Sequence, residues 1–204
     1  MKVGVHGASG RLGKLIMTEG GAKTVAIPRG GPPPPGCDVI IDVSSPKGLT
    51  TLLPHLSGQP LVIGTTGDLP IEALQGYAEA APVAIVPNFS AGVPLLLTLL
   101  RQAVGALPEG WDIEIVEAHH NQKKDAPSGT AKRLARAVEE AGGAPPPMHS
   151  LRSGDTFGEH TIWLCGPGER LELKHVATQR TVFAIGALRW AEQLSTAEPG
   201  MISP

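Results

Sequence analysis

Residues 2–19 read K-V-G-V-H-G-A-S-G-R-L-G-K-L-I-M-T-E. A short apolar strand, Lys2–His6, runs into Gly7-x-x-Gly10-x-x-Gly13, and a helix follows through about Glu19. In a strand–turn–helix unit each glycine has a separate physical task. Gly7 permits the tight turn and Gly10 lets the backbone approach a pyrophosphate. Gly13 lets helix and strand pack closely. The helix start adds free N–H groups that favour an anion. The spacing departs from G-x-G-x-x-G, and a plain structural turn is the alternative. Its place on the first strand–helix unit favours a dinucleotide-binding turn.

Working outward, Thr24–Ile27 reads as a second strand, and Pro32–Pro35 as an extended crossing that can be neither helix nor central strand. Val39–Val43 is a third strand, Lys47–Leu56 a helix, Leu61–Ile63 a fourth strand, Ile71–Ala80 a helix and Val83–Val86 a fifth strand. Strands alternating with helices predict a parallel sheet with helices on its faces, a Rossmann-like α/β domain.

The pattern changes after Asn88-Phe89-Ser90. Ser90 is placed to cap a long helix with Pro94 in its first turn. Ile113–Ala118 is a strand, and Ser128 or Gly129 opens a helix ending near Gly142-Gly143. On it Ala131, Leu134, Ala135 and Val138 repeat at helical spacing, so that face should be buried. His149–Arg152, His160–Leu164 and Leu171–Thr178 read as strands without helices between them, and Phe183–Leu194 as a helix returning to the first domain. The expectation is a dinucleotide-binding domain of residues 1–89 and 181–204, and an α+β substrate-binding and oligomerisation domain of residues 90–180 with an open mixed sheet. Hinges are expected near Phe89-Ser90 and Arg180.

The chain of 204 residues is 41% hydrophobic but only 3% aromatic, so its core must be aliphatic. A formal charge of -2 argues against a general nucleic-acid or anionic-membrane binder. Cys37 and Cys165 stand far apart and read as two reduced thiols. Met1-Lys2 leads directly into the first strand without a leader pattern, and Val93–Leu100 is too short to span a bilayer. A cytoplasmic location is expected.

Residues 117–131, E-A-H-H-N-Q-K-K-D-A-P-S-G-T-A, concentrate the chemistry. They follow the alternating run Ile113–Val116, so they are expected on a loop at a strand end, where rigid scaffolds display functional groups. His119 can move a proton near neutrality, with an ordinary pKa of about 6.5. Lys123 and the N–H groups of Gly129 and Thr130 at the next helix start can hold a carboxylate. Asp125 either orients Lys123 or caps the turn, and the turn is favoured. Glu159-His160 reads as structural, and Arg180 either reaches the substrate or forms a hinge salt bridge. A zinc pair at His119/His120 is disfavoured, because adjacent side chains diverge and no cysteine set accompanies them; no metal is expected.

Cofactor choice should be set at the end of the second strand. NAD enzymes place a carboxylate there for the ribose hydroxyls, whereas an arginine accommodates a 2′-phosphate. Here Pro28-Arg29 occupies that place, which predicts that NADPH binds at least as well as NADH.

The 117–131 stretch resembles the signature of the 4-hydroxy-tetrahydrodipicolinate reductase family, also called dihydrodipicolinate reductases. The N-terminal G-x-x-G-R-x-G, Gly64-Thr65-Thr66-Gly67, Pro87-Asn88-Phe89-Ser90 and Arg152-x-Gly154-Asp155-x-x-Gly158-Glu159-His160 support the resemblance, from residue 2 to about 188. It implies a cytoplasmic homotetrameric enzyme of the diaminopimelate route to lysine. Such an enzyme reduces a cyclic unsaturated imine dicarboxylate to tetrahydrodipicolinate with NADPH or NADH. By motif, His119 matches the acid/base histidine and Lys123 the proton-donating, substrate-binding lysine. His120, Gly129 and Thr130 match substrate contacts. Gly7, Ala8, Ser9, Gly10, Arg11 and Leu12, then Gly64, Thr65 and Thr66, then Val86, Pro87, Asn88 and Phe89, match cofactor contacts. Arg29 matches a basic position near the adenosine phosphate. Two segments depart from the family: Pro28–Asp38 is shortened and Ser195–Pro204 abbreviated.

Two other readings share part of this pattern. Another two-domain NAD(P)-dependent imine or amino-acid oxidoreductase would keep the glycine loop without the whole His-His-to-Thr signature. A non-catalytic dinucleotide sensor would keep Gly7–Gly13 but has no use for His119 with Lys123.

Overall fold

The computed structural model describes residues 1–203; Pro204, with which the expected first domain ends, lies outside the described residues. In chain order the elements are β1 (Val3–His6), α1 (Arg11–Gly20), β2 (Thr24–Ile27), β3 (Val39–Asp42), α2 (Pro46–Leu52), β4 (Leu61–Ile63), α3 (Ile71–Ala78) and β5 (Pro82–Ile85). Then follow α4 (Gly92–Ala106), β6 (Asp112–His119), α5 (Gly129–Glu140), β7 (Met148–Arg152), β8 (Glu159–Gly166), β9 (Glu169–Val176), α6 (Thr181–Leu194) and β10 (Gly200–Ile202). The fold divides into two units, Met1–Phe89 with the segment from Arg180 onward, and Ser90–Gln179. Arg180 thus belongs to the first unit.

The first unit is a six-stranded parallel sheet in the order β10-β5-β4-β3-β1-β2. Its strands are apolar on both sides because both faces are covered. Val39 and Ile41 of β3 join Ile16 of α1 and the alanines Ala184, Ala187 and Ala191 of α6 in one core, whereas Ile40 joins Leu49, Leu52 and Leu74 in another. The chain reverses direction across the sheet between β1 and β3. In parallel α/β sheets the crevice at such a point, beyond the carboxyl ends of the strands, is where ligands bind.

The second unit is a mixed sheet, β7-β6-β8-β9, with β6 and β7 parallel and the other pairs antiparallel. Ile115, Ile162 and Leu164 form one apolar face that packs against Leu97 and Leu100 of α4 and Leu134 and Val138 of α5. The burial of Ala131, Leu134, Ala135 and Val138 follows the helical spacing seen in the sequence. The α/β class, with a parallel Rossmann-like sheet and a second mixed sheet, is as the sequence predicts.

Several local expectations are corrected. The helix expected over 47–56 ends at Leu52 and tightens into a 3₁₀ turn, Leu53–His55, because Pro54 has no N–H for the carbonyl four residues back. Ser90 does not cap α4: Ala91 holds that place without a side-chain cap, and the Ser90 hydroxyl lies 2.9 Å from His175 Nε2. The final strand β10 carries no alternation to announce it; it forms by pairing with β5, Met201 opposite Val83.

Candidate active site

Strand β6 runs from Asp112 to His119, one residue beyond the expected Ile113–Ala118 at each end, so Glu117 and His119 are both held by sheet pairing. Residues two apart on a strand share a face. Glu117 and His119 therefore extend the row begun by Ile113 and Ile115, and a polar end is grafted onto an apolar face. The register carries that row across the sheet: Glu117 stands opposite Ser150 of β7 and His160 of β8, and His160 stands opposite His175 of β9.

A buried carboxylate is costly unless it is fully partnered. Glu117 is fully buried and accepts 2.9 and 2.7 Å hydrogen bonds from the two terminal nitrogens of Arg152. The Ser128 backbone N–H donates to it at 3.2 Å, and Oε2 bonds His119 Nδ1. Burial alone would raise this carboxyl. The bonds from Arg152, Ser150 and His119, with the charge of His119, outweigh it and hold the pKa at about 2.

Because Glu117 stays ionised, it accepts a hydrogen bond from the Nδ1–H of His119 and leaves Nε2 as the exchanging nitrogen. Burial is the main influence on His119 and lowers its pKa below the ordinary 6.5. Glu117 opposes that fall, and the positive charges of Lys123 and Arg152 add to it. His160 meets His119 edge to face, with ring centroids 5.2 Å apart. It is buried, its Nε2 lies 3.2 Å from Ser128 Oγ, and burial followed by the charge of His119 holds its pKa at about 4. His160 is therefore a neutral wall at neutral pH.

Ser128 caps α5, its hydroxyl accepting the Ala131 N–H at 3.2 Å. Gly129 and Thr130 then occupy the first helical turn, where N–H groups lack intrahelical acceptors. Lys123 Nζ donates to both oxygens of Asp125, at 2.7 and 2.8 Å, so Asp125 orients the lysine instead of serving only the turn. The Arg152 guanidinium reaches the Asp125 carbonyl at 2.5 Å, tying this loop to the Glu117 pair. His120 is half-buried.

The first unit carries the glycine turn at its switch point. Gly7 has φ +86°, and a Cβ there would lie 2.6 Å from the Val43 carbonyl oxygen. A Cβ on Gly13 would lie 2.1 Å from the Gly7 carbonyl oxygen, so only glycine lets α1 sit on the turn. Gly10 precedes α1 with no side-chain cap, which leaves the first-turn amides for an anion. These features border a cleft of about 740 Å³ lined by Gly7, Ala8, Ser9 and Gly10, by Arg29, and by Ser44, Ser45, Lys47 and Gly48. Its size and its glycine cradle fit a nucleotide. Arg11 and Leu12 are the first helical residues beyond that lining.

The remaining expected cofactor positions follow strands β4 and β5. Thr65 is buried and donates to Asp42 at 2.5 Å, Thr66 is exposed, and Gly64 lies against the Phe89 ring. Val86 and Phe89 are buried in the core, Asn88 is half-buried and Pro87 exposed. A further network escaped the sequence reading: His6 Nδ1 bonds Asp42 Oδ1 at 2.6 Å, and Ser44 Oγ donates to the same oxygen at 2.7 Å. Equally unforeseen were the Arg152–Glu117 fork and the partnership of Ser128 with His160.

Comparison with known proteins bears on both units. A family model described as the C-terminus of dihydrodipicolinate reductase matches residues 92–203, and its N-terminal counterpart matches residues 34–89. The 4-hydroxy-tetrahydrodipicolinate reductase of Xanthomonas campestris pv. campestris (strain B100) is 42% identical over 229 aligned positions, covering 98% of this chain and 94% of the relative. The chain belongs to the dihydrodipicolinate reductase family. The reductase of the same name from Stenotrophomonas maltophilia (strain R551-3) is also 42% identical, over 96% of this chain and 92% of its own. The fold agrees with a dipicolinate-bound dihydrodipicolinate reductase from Paenisporosarcina sp. TG-14, with a TM-score of 0.75 and 22% identity over 100% of this chain and 97% of the other. As a dihydrodipicolinate reductase family member the chain is an NAD(P)H-dependent oxidoreductase.

Proposed function

We propose that this chain reduces 4-hydroxy-tetrahydrodipicolinate to tetrahydrodipicolinate in the diaminopimelate route to lysine, with His119 as the proton donor and Lys123 as the substrate anchor. The observation that carries the assignment of roles is the Glu117–His119 pair, which fixes the imidazole tautomer and directs Nε2 outward from its carboxylate partner.

A reduced nicotinamide, when bound in the first unit, supplies the hydride. Gly7, Ala8, Ser9 and Gly10 would cradle its pyrophosphate, and Arg29 would meet the adenosine phosphate. Arg11 and Leu12, in the first turn of α1, would offer their backbone amides to the same anion. Gly64, Thr65 and Thr66, with Val86, Pro87, Asn88 and Phe89, would supply the remaining contacts to the same cofactor. NADPH and NADH both serve.

On the substrate side, Lys123 Nζ, the His120 ring and the Gly129 and Thr130 amides receive a ring carboxylate. Loss of the 4-hydroxyl as water gives the conjugated ring imine; hydride arrival on its ring carbon leaves negative charge, and a proton from His119 Nε2 to the neighbouring carbon quenches it. Burial lowers the pKa of His119 in the free protein, but two substrate carboxylates favour its cationic form once bound. Glu117 then stabilises the imidazolium until it gives up its proton, and holding these groups in line contributes several kcal/mol by itself.

The domain roles follow: residues 1–89 and 181–204 bind the dinucleotide, and residues 90–180 bind substrate and self-associate. A homotetramer is supported by the open edge at β9, where Leu171 and Val176 are exposed. No helix among the described residues is long and apolar enough to cross a membrane, which accords with a cytoplasmic enzyme.

The deciding experiment follows NADPH absorbance while the imine is generated in situ by its synthase. Turnover in wild type and its loss in His119→Gln support the reading. Cofactor binding without turnover favours a dinucleotide sensor, and equal turnover by His119→Gln removes the proposed acid.

A further inference from the structure

The cleft at the carboxyl ends of β1 and β3 carries two cations and no acid. Arg29 lies two residues past β2, and Lys47 lies in the first turn of α2; both are exposed and both line the cleft. Neither makes an ion pair among the described residues. No aspartate or glutamate is among the lining residues. Asp42 ends β3 but is fully buried, and His6, Ser44 and Thr65 occupy its oxygens. The cleft therefore offers a ribose diol no carboxylate acceptor, whereas it offers an additional anion two uncommitted positive charges.

NADH and NADPH differ only at the adenosine ribose, where a 2′-hydroxyl is replaced by a 2′-phosphate. A diol is recognised by a carboxylate, and a phosphate by basic side chains. An arginine supplies a planar fork and a lysine a compact point charge on a flexible stem, so a pair of them neutralises a dianion better than either alone.

We propose that Lys47 is a specificity-determining residue: together with Arg29 it binds the 2′-phosphate of NADPH and gives this enzyme a preference for NADPH over NADH. The inference rests on the reading of this cleft as the dinucleotide site. Arg29 alone follows from its place after β2. Lys47 is forty-one residues beyond His6 along the chain and reaches the site only because β3 lies beside β1, with His6 opposite Asp42. Removal of Lys47 should act on the phosphate and leave the rest of the cofactor untouched.

The test is calorimetric titration of wild type, Lys47→Gln, Lys47→Arg and the Arg29→Gln/Lys47→Gln pair with NADPH, NADH, 2′,5′-ADP and 5′-AMP. Wild type is expected to bind NADPH at least about tenfold more tightly than NADH, since one charge-assisted phosphate contact is worth about that factor. Lys47→Gln should weaken NADPH and 2′,5′-ADP by about tenfold while NADH and 5′-AMP stay within about twofold, and Lys47→Arg should restore the preference. The double variant should bind both cofactors alike. Tighter NADH than NADPH in wild type, or an equal loss of both in Lys47→Gln, overturns the role of Lys47 while leaving the dinucleotide site intact. Failure of wild type to bind any of the four ligands overturns the site itself.

Discussion

Glu117 and His119 lie two residues apart on β6, and the carboxylate of the first bonds Nδ1 of the second. Their shared face follows from the strand period, and their charge relation follows from Arg152, which keeps Glu117 ionised. The pair thus behaves as a set tautomer with one working nitrogen.

Removing the carboxylate should shift the pH dependence of the reaction. A general acid works in its protonated form, so kcat/KM is expected to fall as pH rises through the pKa of His119. Glu117 raises that pKa against the lowering effect of burial. In Glu117→Gln the limb should move to lower pH and kcat should drop by at least about tenfold. An unmoved limb in a folded variant would exclude the coupling.

His119→Gln should lower kcat by about 10²–10⁴-fold, the usual span for a lost general acid, with little change in NADPH affinity. Lys123→Ala should raise the substrate KM and lower kcat together, because its ammonium is both anchor and neighbouring charge. Steady-state kinetics of the two variants side by side separate the roles.

Arg152 spans β7 to β6 and meets both oxygens of a fully buried carboxylate. Arg152→Met leaves that charge without its main partner, and a loss of about 3–5 kcal/mol is expected. Urea unfolding at pH 7 measures it. A loss below about 1 kcal/mol would place the fork among ordinary surface pairs.

Acid should weaken the fold in two stages. The folded-state pKa of His160 lies at about 4, below the ordinary 6.5, so the folded state resists its protonation. Its contribution is complete above pH 6.5 and is lost as pH falls through about 4. Glu117, at about 2 against an ordinary 4.5, adds stability that is complete above pH 4.5 and lost as pH falls through about 2. Thermal unfolding of His160→Gln between pH 8 and 4 should therefore be flatter than that of wild type. Parallel curves would count against a buried neutral His160.

Gly186 of α6 faces the end of the first unit's core. A Cβ there would lie 1.8 Å from the Phe89 carbonyl oxygen, so Gly186→Ala must displace backbone and not merely a side chain. Destabilisation at or beyond the upper end of about 1–3 kcal/mol is expected by chemical denaturation.

The strand and helix order of the first unit was legible because doubly covered strands are short, continuous apolar runs separated by Gly and Pro. Val39–Asp42 and Leu61–Ile63 announce themselves in that way. The reacting loop was legible from its residue types, and α5 from its capping serine and helical spacing. What stayed hidden depends on pairing between distant segments. Arg152 meets Glu117 only because β7 lies parallel to β6, and His160 stands behind His119 only because β8 lies antiparallel to it. Glu117 itself could have been found: its period-two relation to His119 on an alternating strand is a local signal. Strand β10 had none, since Gly200-Met201-Ile202 becomes a strand through the edge that β5 offers.

The first unit draws its α6 and β10 from the far side of the second in the sequence. During synthesis, Ser90–Gln179 leaves the ribosome with all its partners already made, while the older sheet still waits for a helix and its outermost strand. The half begun first is thus finished last, and an arrested nascent chain ending near residue 180 would expose the apolar flank that Ala184, Ala187 and Ala191 later cover.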